Sequence, residues 1–358
     1  MPESAVMRHL HPVIPAVVLA LAVPCVTLAQ ASGSYTLSGE IVSIYNLVGL
    51  VTIQAGSGSS VEVEVDAQGR DAAELLVETG PIRSAQTLRV IYPDDRIAYR
   101  AADFRGNTEM RVSDDGTFFD RDSGRRGRRV RISSRGDGLQ AHANLAIAVP
   151  AGQTINVYLG LGDVRVSNVN GDLRVDVAAA RVESNGTRGR LVIDTGSGSV
   201  EVEDAAGEVN VDTGSGSVSV RNVTGERLLV DTGSGSVSGS DIRVRDLSID
   251  TGSGGITLQS VSTTTAVLDT GSGSVRLDLL QDVDQLAIDT GSGSVTVSHP
   301  ENFGGELNLE TRSGGIDFDA PVTVQRISRR SLVGTMGDGN GRIHVDTGSG
   351  SIRFILRP

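Results

Sequence analysis

The residues of this chain best suited to chemistry are aspartates that recur in one setting. Asp-Thr-Gly-Ser-Gly-Ser followed by a β-branched residue begins at Asp194, Asp212, Asp231, Asp269, Asp289 and Asp346, and a Gly-variant ending in Ile256 begins at Asp250. Carboxylates in such a setting can do three things. Two that converge can share one proton and work as an acid–base pair. Several gathered around one point can bind a cation. One that precedes Gly-Ser can accept hydrogen bonds from the backbone N–H groups of its own turn.

Spacing decides among these. The tetrapeptide resembles the active-site motif of pepsin-like aspartic proteases over those few residues alone. That chemistry needs two copies facing each other from two lobes, whereas here many copies follow at a short constant interval, as if along one edge. Calcium takes six to eight oxygens, and each copy supplies one carboxylate. A cation shared between successive copies, on a ladder of Asp194, Asp212, Asp231, Asp250, Asp269 and Asp289, is the remaining metal reading. No other metal and no cofactor is implied: beyond the leader the histidines are His142, His299 and His344, far apart and without a ligand spacing. Flat Thr and Ser ladders also suit a binding face for a sugar or a protein. Polysaccharide cleavage, which several parallel β-helix enzymes perform, is the enzyme alternative; it needs clustered acids, Arg or Lys and bound metal, and no such catalytic constellation stands out.

The elements that carry the motif are read from its period. Tyr158, Asp176, Asp194, Asp212, Asp231, Asp250, Asp269, Asp289 and Glu310 are separated by steps of 18 to 21 residues, and Asp346 follows after 36, or two units of 18. Each unit has an alternating strand such as Leu191-Val-Ile193, then the motif, then a second alternating strand such as Val200-Glu-Val202, then a corner. Alternate residues of a strand face one way. One unit cannot bury its aliphatic face, but stacked units can. The expected class is all-β: a β-solenoid of roughly ten 18–21-residue coils, about 50 Å long at ~4.8 Å per coil. An antiparallel meander with Thr-Gly-Ser-Gly as hairpin loops would not explain the same residue types recurring in register. Ile352 to Leu356 is expected to cap the carboxyl end.

Composition agrees. Aromatics are 3% and Trp is absent, while Gly numbers 45; the core must come from Val, Ile and Leu, which suits thin stacked sheets. The formal charge of -12 argues against nucleic acid as a partner. The chain has no Lys, which excludes Schiff-base chemistry.

Residues 1–31 read as a secretory signal: Arg8, His9 and His11, an apolar run from Val13 to Leu28, and Ala29-Gln-Ala31 before a cut at Ser32. An uncleaved anchor and lipidation at Cys25 are the alternatives; Pro24 makes the second a poor context. No later stretch is apolar enough to span a membrane as a helix. The expected address is exported: periplasm, outer-envelope surface or extracellular. Residues 32–145 read as a less regular β-rich region, with a degenerate motif at 55–60, and 146–358 as the repeat domain. Within the first, 114–138 reads as a mobile loop or long hairpin tip, where Arg121, Arg125, Arg126, Arg128, Arg129 and Arg131 offer an anion contact or a solvated surface.

These degenerate β-repeats, the recurrent Gly-Ser turns and the closing Gly334-Thr-Met-Gly-Asp-Gly339 resemble the bacterial DUF4097 family of adhesin-type "toastrack" proteins. The resemblance covers about 35–358. It implies a β-solenoid of the cell envelope, non-enzymatic, with a role in adhesion or as a scaffold, or alternatively in sensing envelope stress. The implied partner is an envelope or surface ligand, polysaccharide or protein.

Overall fold

The computed structural model describes residues 27–30, 32–100, 107–119 and 127–357. Most of the leader, Cys25 with it, and Arg121, Arg125 and Arg126 lie outside the described residues. Regular structure among the described residues is strand, apart from one 3-10 turn at Ala72–Glu74. No helix among them is long and apolar enough to cross a membrane.

Each repeat lays two strands that pair, parallel and in register, with the equivalent strands of its neighbours. Alternation then produces columns. In the first strand the inward column runs Val175, Ile193, Val211, Val230, Ile249, Leu268, Ile288, Val345 and Leu309, all buried. In the second it runs Val182, Val200, Val218, Val237, Ile256, Val275, Val295 and Ile352, also buried. Each aliphatic side chain so enclosed is worth ~1.5–3 kcal/mol. No layer could enclose its own set, so burial and stacking are one event.

The corner between layers is also fixed. Asn168, Asp204, Asn222, Asp241 and Ser260 all adopt left-handed backbone conformations, with φ of 50 to 55°, and Gly186 takes the equivalent place. Asn and Asp tolerate this region better than other side chains. Asn222 Nδ2 also donates to Asp204 Oδ1 of the preceding layer at 2.5 Å.

The order of layers departs from the order of the sequence at both ends. Strand Arg342–Thr347 pairs with Gln285–Thr290 on one side and with Gly305–Thr311 on the other, both parallel. Ile352–Leu356 likewise lies between Val295–His299 and Ile316–Phe318. The Asp346 unit therefore does not follow Glu310 by two units of 18. It is inserted between the Asp289 and Glu310 layers, and Ile352 to Leu356 is an interior strand, not a cap. The true end is an antiparallel hairpin, Val322–Ile327 and Ser331–Met336, laid on Gly305–Thr311.

The amino-terminal end repeats the device. Ile41–Ala55 forms a layer on Gln153–Ser167, and its second half pairs with His142–Val149 on the far side. The stack thus begins at 41, in the region expected to be less regular, rather than at the degenerate motif of 55–60. Val61–Gln68 and Gly33–Leu37 extend this end antiparallel. On the first half of Ile41–Ala55, Ala85–Ile91 lies parallel, and Leu76–Ile82 and the backbone of Thr27–Gln30 follow it antiparallel.

A separate three-stranded sheet joins Arg96–Ala98, Asn107–Val112 and Arg128–Ser133. Part of the expected mobile loop is therefore an ordered strand. Its alternate residues Val130 and Ile132 are fully buried, which holds it in place.

A candidate binding face on the carboxylate ladder

The motif places three side-chain columns by pleat alone. Thr points inward and is 0 to 4% exposed from Thr195 to Thr347. In the later layers its hydroxyl ties two coils together. Thr270 Oγ1 donates to the Gly254 carbonyl of the preceding layer at 2.8 Å and accepts from Gly273 N–H at 2.9 Å. The same pair of bonds recurs at Thr251, Thr290, Thr347 and Thr311. The succession of donors to carbonyls, Thr290 to Gly273, Thr347 to Gly293 and Thr311 to Gly350, confirms that the Asp346 layer is interior.

The second Gly of each motif is set by close approach between coils. A Cβ on Gly273 would lie 1.9 Å from the Gly254 carbonyl oxygen, and one on Gly293 1.8 Å from that of Gly273. A turn glycine can also supply backbone angles that other residues avoid. Among these second glycines Gly198 alone has a positive φ, so sterics replace that reason for the others.

Asp occupies the opposite face. Register pairing sets Asp176, Asp194, Asp212, Asp231, Asp250, Asp269, Asp289, Asp346 and Glu310 in one continuous outward column. Here the expectation for the turn is corrected. Among the described residues no ladder carboxylate accepts an N–H from its own turn, because the pleat turns Asp away and Thr takes that place. The one cation on the ladder is Arg174, whose Nη2 stands 3.1 Å from Asp176 and 3.5 Å from Asp194. Beyond it the carboxylates meet each other. Burial, then the neighbouring Asp194, raises the Asp212 carboxyl above its ordinary range. Burial followed by Asp212 and Asp250 raises Asp231, and burial followed by Asp250 and Asp289 raises Asp269. Unit charges ~4 Å apart repel by about 1 kcal/mol in water and more where water is excluded.

The ladder has a closed end and an open one. Tyr158 and Tyr45 continue the column before Asp176, stacked 4.4 Å apart, and Phe118 of the small-sheet region covers Tyr45 edge-on at 5.6 Å. From Asp194 onward the face is open. A shallow groove of about 370 Å³ runs beside it, floored by Val192, Asn210, Leu229 and Ser248.

The structure does not bring the other candidates together. Among the described residues no group of three or more His, Cys, Asp or Glu is placed to hold a metal ion. The ladder supplies one carboxylate per layer, so the shared-calcium arrangement has no ready-made cage. No two motif carboxylates converge from opposing lobes. His344 faces outward, His299 is buried beside Phe303, and His142 packs on Tyr99. In the arginine segment Arg128 pairs with Asp95 at 2.6 Å and Arg129 with Glu109 at 3.0 Å, and Arg131 is exposed on the same strand. The first two offer little free charge to an anion. Sequence reasoning missed Arg174 and the Thr relay. Arg174 has no motif around it, but Thr beside every Asp was a visible signal.

Residues 135–354 match the Toastrack DUF4097 family. The chain belongs to that family. Two crystal structures match the chain at low similarity. One is a "putative cell adhesion protein" from Clostridium sporogenes, 8% identical, covering 93% of this chain and 100% of that one, with a TM-score of 0.21. The other is a "putative adhesin" from Bacteroides fragilis, 9% identical, covering 92% of this chain and 97% of that one, with a TM-score of 0.35. No curated protein matches the chain. In this Toastrack member the match ends at the third residue of the last strand and begins before the first full layer of the continuous repeat, so it takes in the whole carboxylate ladder.

Proposed function

We infer that this Toastrack chain is a non-enzymatic, exported protein of the cell envelope, adhesin-like or a scaffold, and that the carboxylate ladder is its contact face. The roughly ten-coil stack acts as a stiff rail that repeats one acidic group per layer. One observation carries the reading: a continuous outward column of carboxylates, from Asp194 on, whose side chains its own turns do not use. A column kept for folding alone would hydrogen-bond inward, as the Thr column does. Self-repulsion on such a face is relieved by a ligand that brings cationic groups at a similar repeat, which suits a polycationic polysaccharide or the basic face of a protein. Carboxylates that stand one per layer, without convergent partners or a general base, fit binding rather than turnover.

The test is binding of the full chain to chitosan, a cationic polysaccharide, beside neutral dextran. Asp212→Asn, Asp231→Asn, Asp250→Asn and Asp269→Asn combined should lower chitosan affinity at least tenfold and leave dextran unaffected. Equal chitosan binding by the parent and the fourfold variant would remove the ladder from the function.

A further inference from the structure

The two ends of the stack carry opposite, unspent charge on open sheet edges. At the carboxyl end, strand Val322–Ile327 pairs with Ser331–Met336 alone among the described strands, so its outer edge keeps free N–H and C=O groups. Nearly every residue of this strand is exposed, including Val324 at 45% and Ile327 at 68%. The hairpin 322–336 contains Arg326, Arg329 and Arg330 and no acidic residue. Among the described residues none of these three guanidinium groups forms an ion pair.

At the amino end, Gly33–Leu37 is the edge strand of its sheet and pairs with Val61–Gln68. It is uncharged. The strand behind it presents Glu62, Glu64 and Asp66 on one exposed face, with no cation among them. Among the described residues Glu62 and Glu64 have no ion pair, and Asp66 takes a hydrogen bond from Gln68 Nε2 at 2.6 Å. The flanking His142–Val149 strand sets Asn144, Ala146 and Ala148 beside them, with His142 opposite Gln68 and no arginine on that face.

We propose that these two edges are complementary docking surfaces for a second copy of this chain, joined head to tail. Strand Val322–Ile327 of one copy adds to Gly33–Leu37 of the next, so that the sheet of one copy continues into that of its neighbour. The inward faces match: Val322, Val324 and Ile327 lie on the face of buried Leu332 and Met336, and Tyr35 and Leu37 on that of buried Val61 and Val63. The outward faces match in charge. Arg326 pairs across the hairpin with Val333 on the outer side, and Ser34 and Thr36 stand opposite Glu64 and Glu62. Those two side chains are short, so an arginine on the added strand and a glutamate two strand spacings away, about 9.6 Å, meet over the strand between them.

Charge also rules out the symmetric alternatives. A second hairpin on the first would bring Arg326, Arg329 and Arg330 against their own copies, and two amino ends would oppose Glu62, Glu64 and Asp66. Open edges are usually guarded by like charge in this way; here each guard excludes its own kind and admits the other. A contact between two different surfaces of one chain is heterologous and leaves a free end on each copy, so it repeats into a linear array wherever the rotation between copies does not close a ring. Such an array would prolong the carboxylate ladder, but the docking rests on the ends and stands whether or not the ladder binds a ligand.

Sedimentation velocity of the full chain tests this at up to about 200 µM, where weak interfaces become populated. At about 50 mM salt the mean mass should rise with concentration, and at about 0.5 M salt it should return to that of the monomer. Glu62→Arg/Glu64→Arg/Asp66→Arg should be monomeric at low salt, and so should Arg326→Glu/Arg329→Glu/Arg330→Glu. Mixing the two variants should restore association, which also shows that each is folded. A parent chain that stays monomeric throughout overturns the proposal. So does an amino-end variant that still self-associates, which would mean hairpin-to-hairpin pairing, or a mixture that stays monomeric.

Discussion

Thr270→Val and Thr213→Val make the same isosteric change in the same column, at two residues that are both 0% exposed. Their expected effects differ in sign. Thr270 Oγ1 bridges the Gly254 carbonyl and the Gly273 N–H at 2.8 and 2.9 Å. Valine leaves both groups buried and unpaired. At ~1–3 kcal/mol for each unsatisfied group, with partial relaxation, the loss is roughly 2–4 kcal/mol. Thr213 Oγ1 is buried without any partner, because the relay starts one layer later at Thr232. Valine there removes an unmet polar group, so stability stays level or rises by up to ~1 kcal/mol. Urea unfolding followed by circular dichroism measures the difference. Stacked repeats need not unfold in one step, so amide exchange at Gly273 and Gly216 provides a local reading. Gly273 should exchange much faster in Thr270→Val, and Gly216 should be unchanged in Thr213→Val. Equal losses in the two variants would refute the relay and leave Thr as a mere β-branched filler.

Further outcomes follow from the other columns. Gly273→Ala would put a Cβ 1.9 Å from the Gly254 carbonyl oxygen and should cost more than ~3 kcal/mol, seen as a fall in melting temperature, since backbone on both sides must part. Asp231 has a raised folded carboxyl pKa, so its charged form is disfavoured by folding; the penalty is fully present at neutral pH and is lost as pH falls through the raised value towards the ordinary 3.8. Asp231→Asn should therefore stabilise at pH 7 by a few tenths to ~1 kcal/mol, less in high salt, with the gain gone near pH 3 in pH-resolved urea titrations. Removing residues 342–358 takes out an interior layer, so loss of exchange protection should spread to 285–299 and 305–318; fraying confined to the last strand would show that the segment is a cap after all. With one carboxylate per layer and no cage, melting in chelator and in millimolar calcium should coincide, and a rise with calcium would restore the cation reading.

Much of this architecture is legible because repetition writes itself into register. Leu191, Val209, Leu228 and Leu247 had to share a column once the period was seen, and the alternation on each side of Thr-Gly-Ser-Gly specified two strands per layer. Three features were not legible, each for a physical reason. The layer at Ile41–Ala55 lacks the motif because its acidic position is Tyr45, stacked on Tyr158 and covered by the small sheet, so nothing acidic is required there. The insertion of the Asp346 layer is invisible because every layer offers the same edge to its neighbours; a gap of 36 residues counts equally as two coils or as one coil and a hairpin. The division of labour between Asp and Thr depends on which way the pleat faces, and adjacent residues differ in that by one step.

That last distinction changes what the repeated aspartate means. Had Asp closed its own turn, the column would be explained by folding and its recurrence would say nothing more. The turn is instead closed by Thr hydroxyls and by glycines packed against the carbonyls of the layer before. With the turn already satisfied, the carboxylates add repulsion to a fold that would stand without them: Asp212, Asp231 and Asp269 all hold their protons more tightly than free aspartate. A side chain that costs stability at those layers, where Asn or Ser would fit the same outward place, implies a gain outside the fold. The face that carries it is open from Asp194 to the Glu310 layer and sealed by Tyr158, Tyr45 and Phe118 at its start. A partner would therefore engage the rail along its length, over several layers at once. Affinity on such a face should climb steeply with the number of cationic units in the ligand and hardly register for one alone. Chitosan oligomers of increasing length supply that series, and affinity independent of length would show that the ladder is not read as a repeat.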